Sequence, residues 1–183
     1  SQDDVLRQWQ GLGYYSRARN LHEAVQEVVS SYDGNVPDTK KELLSLKGVG
    51  AYTAGAILSI AYGEPEVAVD GNVLRVFARL YNIAGNILSA PVKKEITALA
   101  QAQIPVQEAG AFNEALMDFG AMICIPKSPR CGECPLVSYC SAKKAGTEKE
   151  LPLRITKKNI PTEHIAVCVL SQRQCWLIHR RPA

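Results

Sequence analysis

Apolar residues recur at helical spacing through the first two thirds of the chain. Leu21, Ala24, Val25 and Val28 fall at i, i+3, i+4 and i+7, the stripe of an amphipathic helix, and Asp33-Gly34-Asn35 breaks it. Thr39, with Glu42 three residues on, is a capping-box pattern that predicts a short helix through Leu46. Gly48-Val49-Gly50 interrupts, and a strongly apolar helix is predicted over about Tyr52 to Tyr62, stopped by Gly63-Glu64-Pro65. A further helix is predicted from Gly71 to Asn82, with Val73, Val76, Phe77 and Leu80 on one face. Ser89 and Pro91 open another, and the last runs from Phe112 to Ile123. Past Cys140 the helical period is lost. A polar stretch reads as a linker, and His164–Leu170 and Cys175–Ile178 read as two short strands joined by Ser171-Gln172-Arg173-Gln174. Two strands alone are only marginally stable, so they are read as the start of a β-containing domain.

This pattern predicts a mainly α protein, and composition agrees. The 183 residues are 46% hydrophobic and 21% charged, a globular balance rather than a disordered one. No apolar run approaches the ~20 residues that cross a bilayer, so no membrane role is expected. The acidic start Ser1-Gln2-Asp3-Asp4 is unlike a secretory signal, which points to a cytoplasmic setting with reduced thiols. The chain also lacks an initiating Met and begins inside an amphipathic segment, and is therefore read as a fragment.

Reduced thiols change the meaning of the cysteines. Cys124, Cys131, Cys134 and Cys140 are spaced C-x6-C-x2-C-x5-C. Prolines at 126, 129 and 135 make the stretch a loop, and a loop without a core of its own needs a staple. Four gathered thiolates hold either a tetrahedral zinc or an iron–sulfur cluster, and spacing alone leaves both open. The remaining pair, Cys168 and Cys175, is read as buried free thiols. Net charge is only +3, but the stretch from Lys127 to Lys158 holds eight basic and three acidic residues, a local excess of +5. Such a surface is either a solvated linker or an attractor of polyanions.

Two further features carry chemistry. Leu46-Lys47-Gly48-Val49-Gly50 lies between predicted helices, and its glycines allow a sharp turn that exposes amides at the next helix's N-terminus, where phosphate binds. It is either an ordinary inter-helix turn or the hairpin of a helix-hairpin-helix, which clamps DNA by its backbone. Asp70, ahead of Gly71-Asn72-Val73, is either a helix N-cap or a carboxylate that stabilises positive charge on a sugar as a glycosidic bond breaks.

Hairpin, Gly/Pro loop, following Asp and four cysteines occur together in the order and spacing of one group of enzymes. The chain resembles the helix-hairpin-helix DNA glycosylases of the endonuclease III superfamily. Within it, Gly11-Leu12-Gly13-Tyr14-Tyr15-Ser16-Arg17, Gly48-Val49-Gly50-Ala51-Tyr52-Thr53-Ala54-Gly55-Ala56 and Val69-Asp70-Gly71-Asn72-Val73 resemble adenine glycosylases of the MutY type. The similarity runs from about residue 3 to residue 158.

That resemblance implies a [4Fe–4S] cluster on Cys124, Cys131, Cys134 and Cys140. It also implies a monomer acting on double-stranded DNA that carries adenine opposite 8-oxoguanine or guanine, in the bacterial cytoplasm beside the nucleoid. DNA would be gripped by Lys47, Gly48, Val49 and Gly50 and by Lys127 and Arg130. Tyr14, with Leu12 nearby, would wedge into the base stack; the alternative for Tyr14 is packing beside Tyr15 and Trp9. Asp70 would stabilise the sugar cation, with Tyr52 and Asn72 positioning groups. Relatives that also cut the strand carry a Schiff-base lysine two residues past the hairpin's last glycine. Here that residue is Tyr52, which implies hydrolysis alone; otherwise Tyr52 is a core aromatic.

The implied domains are a helical domain (1–106), a cluster region (107–146), a linker (147–163) and the first strands of a Nudix-like domain (164–183). The family's general acid is a glutamate in an earlier helix that no segment here resembles; Glu23, Glu27 and Glu42 have ordinary helix-surface or capping roles. The fragment is therefore expected to be inactive or nearly so. Competing readings are a non-catalytic iron–sulfur DNA-binding module and a pyrimidine glycosylase/lyase like endonuclease III.

Overall fold

The computed structural model describes residues 1–155, 162, 171–173 and 175–177. Among them the regular structure is almost wholly helical: α1 (Gln2–Gln8), α2 (Tyr15–Ser31), α3 (Lys40–Ser45), α4 (Ala51–Ala61), α5 (Gly71–Leu80), α6 (Ala90–Gln101), α7 (Ala109–Met122) and α8 (Ser141–Ala145). Two short 3₁₀ turns, Cys131–Glu133 and Val137–Tyr139, lie inside the cysteine loop. No helix among the described residues is long and apolar enough to cross a membrane. A two-residue antiparallel pairing, Ser171 with Trp176 and Gln172 with Cys175, stands in the C-terminal segment. It uses Ser171 and Gln172, which the sequence pattern places in the turn. Cys168 and most of the two expected strands lie outside the described residues.

Helix starts follow the polar signals. Thr39 caps α3, its hydroxyl accepting from the Glu42 amide at 3.3 Å and donating to the Glu42 carboxylate rather than leaving that carboxylate to reach back to the chain. Asp70 caps α5. Two apolar clusters hold the helices together. The larger gathers Val67, Val73, Val76, Phe77, Ile87, Ile96 and Ala100 around α5, which packs against α6, α7 and α8. The smaller joins Ala24 and Val28 of α2 to Leu43, Leu46, Ala54 and Leu58.

The predicted stripe of α2 is only half buried in fact. Ala24 and Val28 face the core, while Leu21 and Val25 are exposed. Ala18 and Ala24 are small enough to let α2 lie close on its neighbours, so the buried line runs along one edge of the apolar stripe.

What the fold does for the site is hold the extended segment 66–69 rigid. Asn113, fully buried, accepts from the Ala68 amide at 2.9 Å and donates to the Glu66 carbonyl at 2.9 Å and to Ser59 Oγ at 2.8 Å. Gln101 accepts from the Val67 amide at 3.1 Å. Gly55 of α4 lies so close that a Cβ there would sit 2.4 Å from the Val67 carbonyl oxygen. The chain therefore delivers Asp70 to the start of α5 along a clamped track.

The stretch expected to be a linker is partly folded onto this body. Leu151 and Glu148 are buried, and the Ile87 amide donates to the Leu153 carbonyl at 3.0 Å.

Candidate active site and cluster loop

Asp70 Oδ1 accepts from the amides of Asn72 and Val73, each at 2.8 Å, and so caps α5. Its other oxygen accepts from the Asn72 side-chain amide at 2.8 Å. The N-cap role and a functional role are thus not rivals: one oxygen satisfies the helix end while the carboxylate stays half-buried at the lip of a cleft. That cleft, roughly 390 Å³, is lined by Tyr52, Val69, Asp70, Leu74 and Lys93, among others. Its volume lies in the range of sites that enclose a small organic group. Tyr52, 41% exposed, is not sealed in the core; its hydroxyl donates to Met117 Sδ at 3.6 Å. The structure therefore brings Asp70 and Tyr52 to one cleft, with Asn72 bonded to the aspartate from the side.

Leu12, Tyr14, the hairpin residues Lys47 to Gly50, Lys127 and Arg130 do not line it. They stand on separate loops. The hairpin is Leu46 to Gly50, between α3 and α4. Gly48 has φ +78°, and a Cβ there would sit 2.6 Å from Asn20 Cβ on α2, so glycine is demanded by both conformation and space. Val49 turns its side chain onto the smaller apolar cluster, so it anchors the hairpin from within. Lys127 and Arg130 are exposed on the cysteine loop.

The loop before α2 carries Tyr14. Three positions in four have positive φ: Gly11 (+90°), Gly13 (+67°) and Tyr14 itself (+49°). A left-handed tyrosine costs about 1–2 kcal/mol, so the loop is held by other contacts. Trp9 Nε1 donates to the Gly13 carbonyl at 3.0 Å, and the Arg17 guanidinium lies over the rings of both Trp9 and Tyr14. The Tyr14 side chain is 81% exposed, so the packing alternative does not describe it.

Two residues that the sequence pattern passes over join the cleft to the cysteines. Arg75 (8% exposed) donates to Asn72 Oδ1 at 2.8 Å, to the Gly120 carbonyl at 2.7 Å and to the Cys124 carbonyl at 2.8 Å. Burial pulls its pKa down, against the opposing pull of Cys124. Arg79 (2% exposed) donates to the carbonyls of Leu151, Ile125 and Pro126 and lies 3.4 Å from Cys124 Sγ. The signal that marks them is two arginines, i and i+4, in a helix whose other residues from Val73 onward are apolar.

The cysteine loop fits an iron–sulfur group. All four cysteines line one pocket, together with Val76 and Phe119. Burial pushes the Cys134 thiol up, and the charges of Cys124, Cys131 and Cys140 push it further. A cationic core between them would relieve that repulsion, and the Arg79 donor at Cys124 is the polar support such a ligand needs. Among the described residues no three or more His, Cys, Asp or Glu side chains are drawn together tightly enough to hold one metal ion.

Comparison with known proteins agrees with this geometry. Residues 31–60 match the helix-hairpin-helix motif, and residues 124–140 match the iron–sulfur binding domain of endonuclease III. A solved thermostable thymine-DNA glycosylase superposes with a TM-score of 0.71 at 32% identity, covering 79% of this chain and 67% of that one. A non-covalent endonuclease III–DNA complex gives 0.66 at 30%, covering 81% and 68%. The chain belongs to the helix-hairpin-helix DNA glycosylases of the endonuclease III fold, and its match to the iron–sulfur binding domain, over residues 124–140, supports a [4Fe–4S] cluster there. Among curated relatives it is similar to the adenine DNA glycosylases of Buchnera aphidicola (38% identical over 87% of this chain and 45% of the relative) and Homo sapiens (39% over 97% and 32%). The chain thus spans about half the length, or less, of these curated relatives.

Proposed function

We propose that this chain forms the DNA-gripping body and part of the catalytic centre of an adenine DNA glycosylase, hydrolysing the N-glycosidic bond of adenine paired with 8-oxoguanine or guanine. The observation that carries the reading is the Asp70 carboxylate at the lip of a cleft it shares with Tyr52.

The residues divide the work as follows. The hairpin amides at Gly48 to Gly50 and the cations Lys127 and Arg130 hold phosphates and set register without reading sequence. Tyr14, with Leu12 beside it, enters the base stack and lowers the cost of unstacking. The flipped adenosine enters the Asp70 cleft. As the bond to the protonated base lengthens, positive charge grows on the sugar, and the Asp70 carboxylate lies beside it and stabilises it. Asn72, fixed by Arg75, orients that carboxylate from the side. Tyr52 lines the same cleft and offers no amine, so hydrolysis by water follows without an imine. When bound, the cluster crosslinks the 124–140 loop and so fixes Lys127 and Arg130 as a phosphate-facing surface. The protein acts as a monomer on chromosomal DNA in the cytoplasm.

The test is single-turnover release of adenine from an A:8-oxoguanine duplex, by this chain and by a version extended to its relatives' length, with borohydride trapping in parallel. Adenine release without a trapped adduct supports the proposal. A covalent adduct would instead mark a glycosylase/lyase. Salt-sensitive binding with no base release by either version would mark a non-catalytic binding module.

A further inference from the structure

We propose that Arg17 is a positioning residue for the Tyr14 wedge, holding its ring in the orientation from which it enters DNA. The inference rests on the wedge reading above and adds the device that presents the wedge.

An exposed tyrosine on a glycine-rich loop has no reason to hold one orientation. Gly11 and Gly13 give the chain freedom, and Tyr14 occupies a left-handed conformation that it would leave if unsupported. Support for the ring itself comes from the Arg17 side chain. The Arg17 guanidinium lies 5.4 Å from the centroid of the Tyr14 ring and 5.5 Å from that of Trp9, within the range where a cation is attracted to a ring face. Trp9 is itself fixed, partly buried and donating to the Gly13 carbonyl at 3.0 Å. The Arg17 amide donates to the Tyr14 carbonyl at 2.9 Å, in the first turn of α2. The anchor runs from Trp9 through Arg17 to Tyr14, and a planar guanidinium can face two rings where an ammonium cannot do so equally well.

The same helix fixes where the wedge stands. Asn20, one turn beyond Arg17, abuts Gly48 so closely that no Cβ fits between them. Helix α2 therefore sets the separation between the wedge and the hairpin, and Arg17 sets the direction of the ring at its end. Holding the ring before contact removes ordering that binding would otherwise require.

An exposed arginine near DNA can also serve as a phosphate contact alone, and the two roles leave different marks. Equilibrium binding of the protein is measured on an A:8-oxoguanine duplex and on a matched duplex of the same sequence, across a salt series, with 2-aminopurine beside the lesion reporting unstacking. Circular dichroism and the visible absorbance of the cluster confirm folding of each variant. Arg17→Gln is expected to lower the lesion-to-matched affinity ratio at least fivefold and to reduce the 2-aminopurine signal, as Tyr14→Ala does. The double variant is expected to fall within twofold of Tyr14→Ala alone, the salt slope to stay as in the wild type, and Arg17→Lys to recover part of the ratio. An equal loss on both duplexes, with the salt slope reduced by about one, would make Arg17 a phosphate contact and overturn the proposal. An unchanged ratio in Arg17→Gln, with a wild type that discriminates, overturns it alone. A wild type that ranks the two duplexes equally overturns the wedge reading with it.

Discussion

Asp70 serves the helix and the cleft at once because its two oxygens have different partners. Oδ1 takes the Asn72 and Val73 amides at the start of α5, and Oδ2 takes the Asn72 side chain. Asparagine is as good an N-cap as aspartate, so Asp70→Asn keeps the cap and removes the charge. Its cost in urea denaturation is expected to be about 1 kcal/mol or less, mostly from setting an amide donor against the Asn72 amide. Arg79 is the opposite case, a residue whose whole role is internal. Arg79→Met would strip the donor from the Leu151, Ile125 and Pro126 carbonyls, all reached by one buried guanidinium. With unpaired buried acceptors costing about 1–3 kcal/mol each, a loss of roughly 3 kcal/mol or more in chemical denaturation is expected. Less cluster absorbance per chain should accompany it, because two of these carbonyls, Ile125 and Pro126, lie with Cys124 Sγ in the segment that Arg79 holds. Unchanged stability would show that water replaces the arginine there.

At the level of elements, the hairpin makes a claim that its two glycines test separately. Gly48 needs its positive φ and has Asn20 against it, whereas Gly50 has φ −98° and open space around it. Gly48→Ala should therefore lower stability by roughly 2–3 kcal/mol, combining backbone strain with a forced shift of Asn20. Gly50→Ala should cost about 1 kcal/mol as a weaker cap, yet weaken DNA binding tenfold or more if phosphate approaches that backbone. Full retention of affinity in Gly50→Ala would remove the hairpin from the interface. These elements were legible in the sequence because each announces itself locally: Thr39 and Asp70 as caps, the paired glycines as a turn, the cysteines by spacing. The contacts that position them were not. Arg75, Arg79 and Asn113 act over 45 to 72 residues of chain, and no local period reveals a partner so distant. The half-exposed stripe of α2 is hidden from the sequence for a related reason, since which edge of a stripe is covered depends on the small residues that let a neighbour approach.

For the molecule as a whole, three loops act with one cleft in the proposed reaction, and each leaves its own trace. The purified protein is expected to be brown, with broad visible absorbance that Cys131→Ser abolishes; a colourless protein holding zinc would contradict the cluster assignment. Lys127→Gln and Arg130→Gln should each weaken binding to matched and lesion duplexes alike and reduce the salt slope by about one, leaving that absorbance intact. The most direct test of the central claim is single-turnover adenine release from an A:8-oxoguanine duplex by Asp70→Asn beside wild type, both extended to the length of the relatives. The account predicts a loss of at least a hundredfold with folding and duplex affinity preserved; a loss of less than tenfold would contradict it.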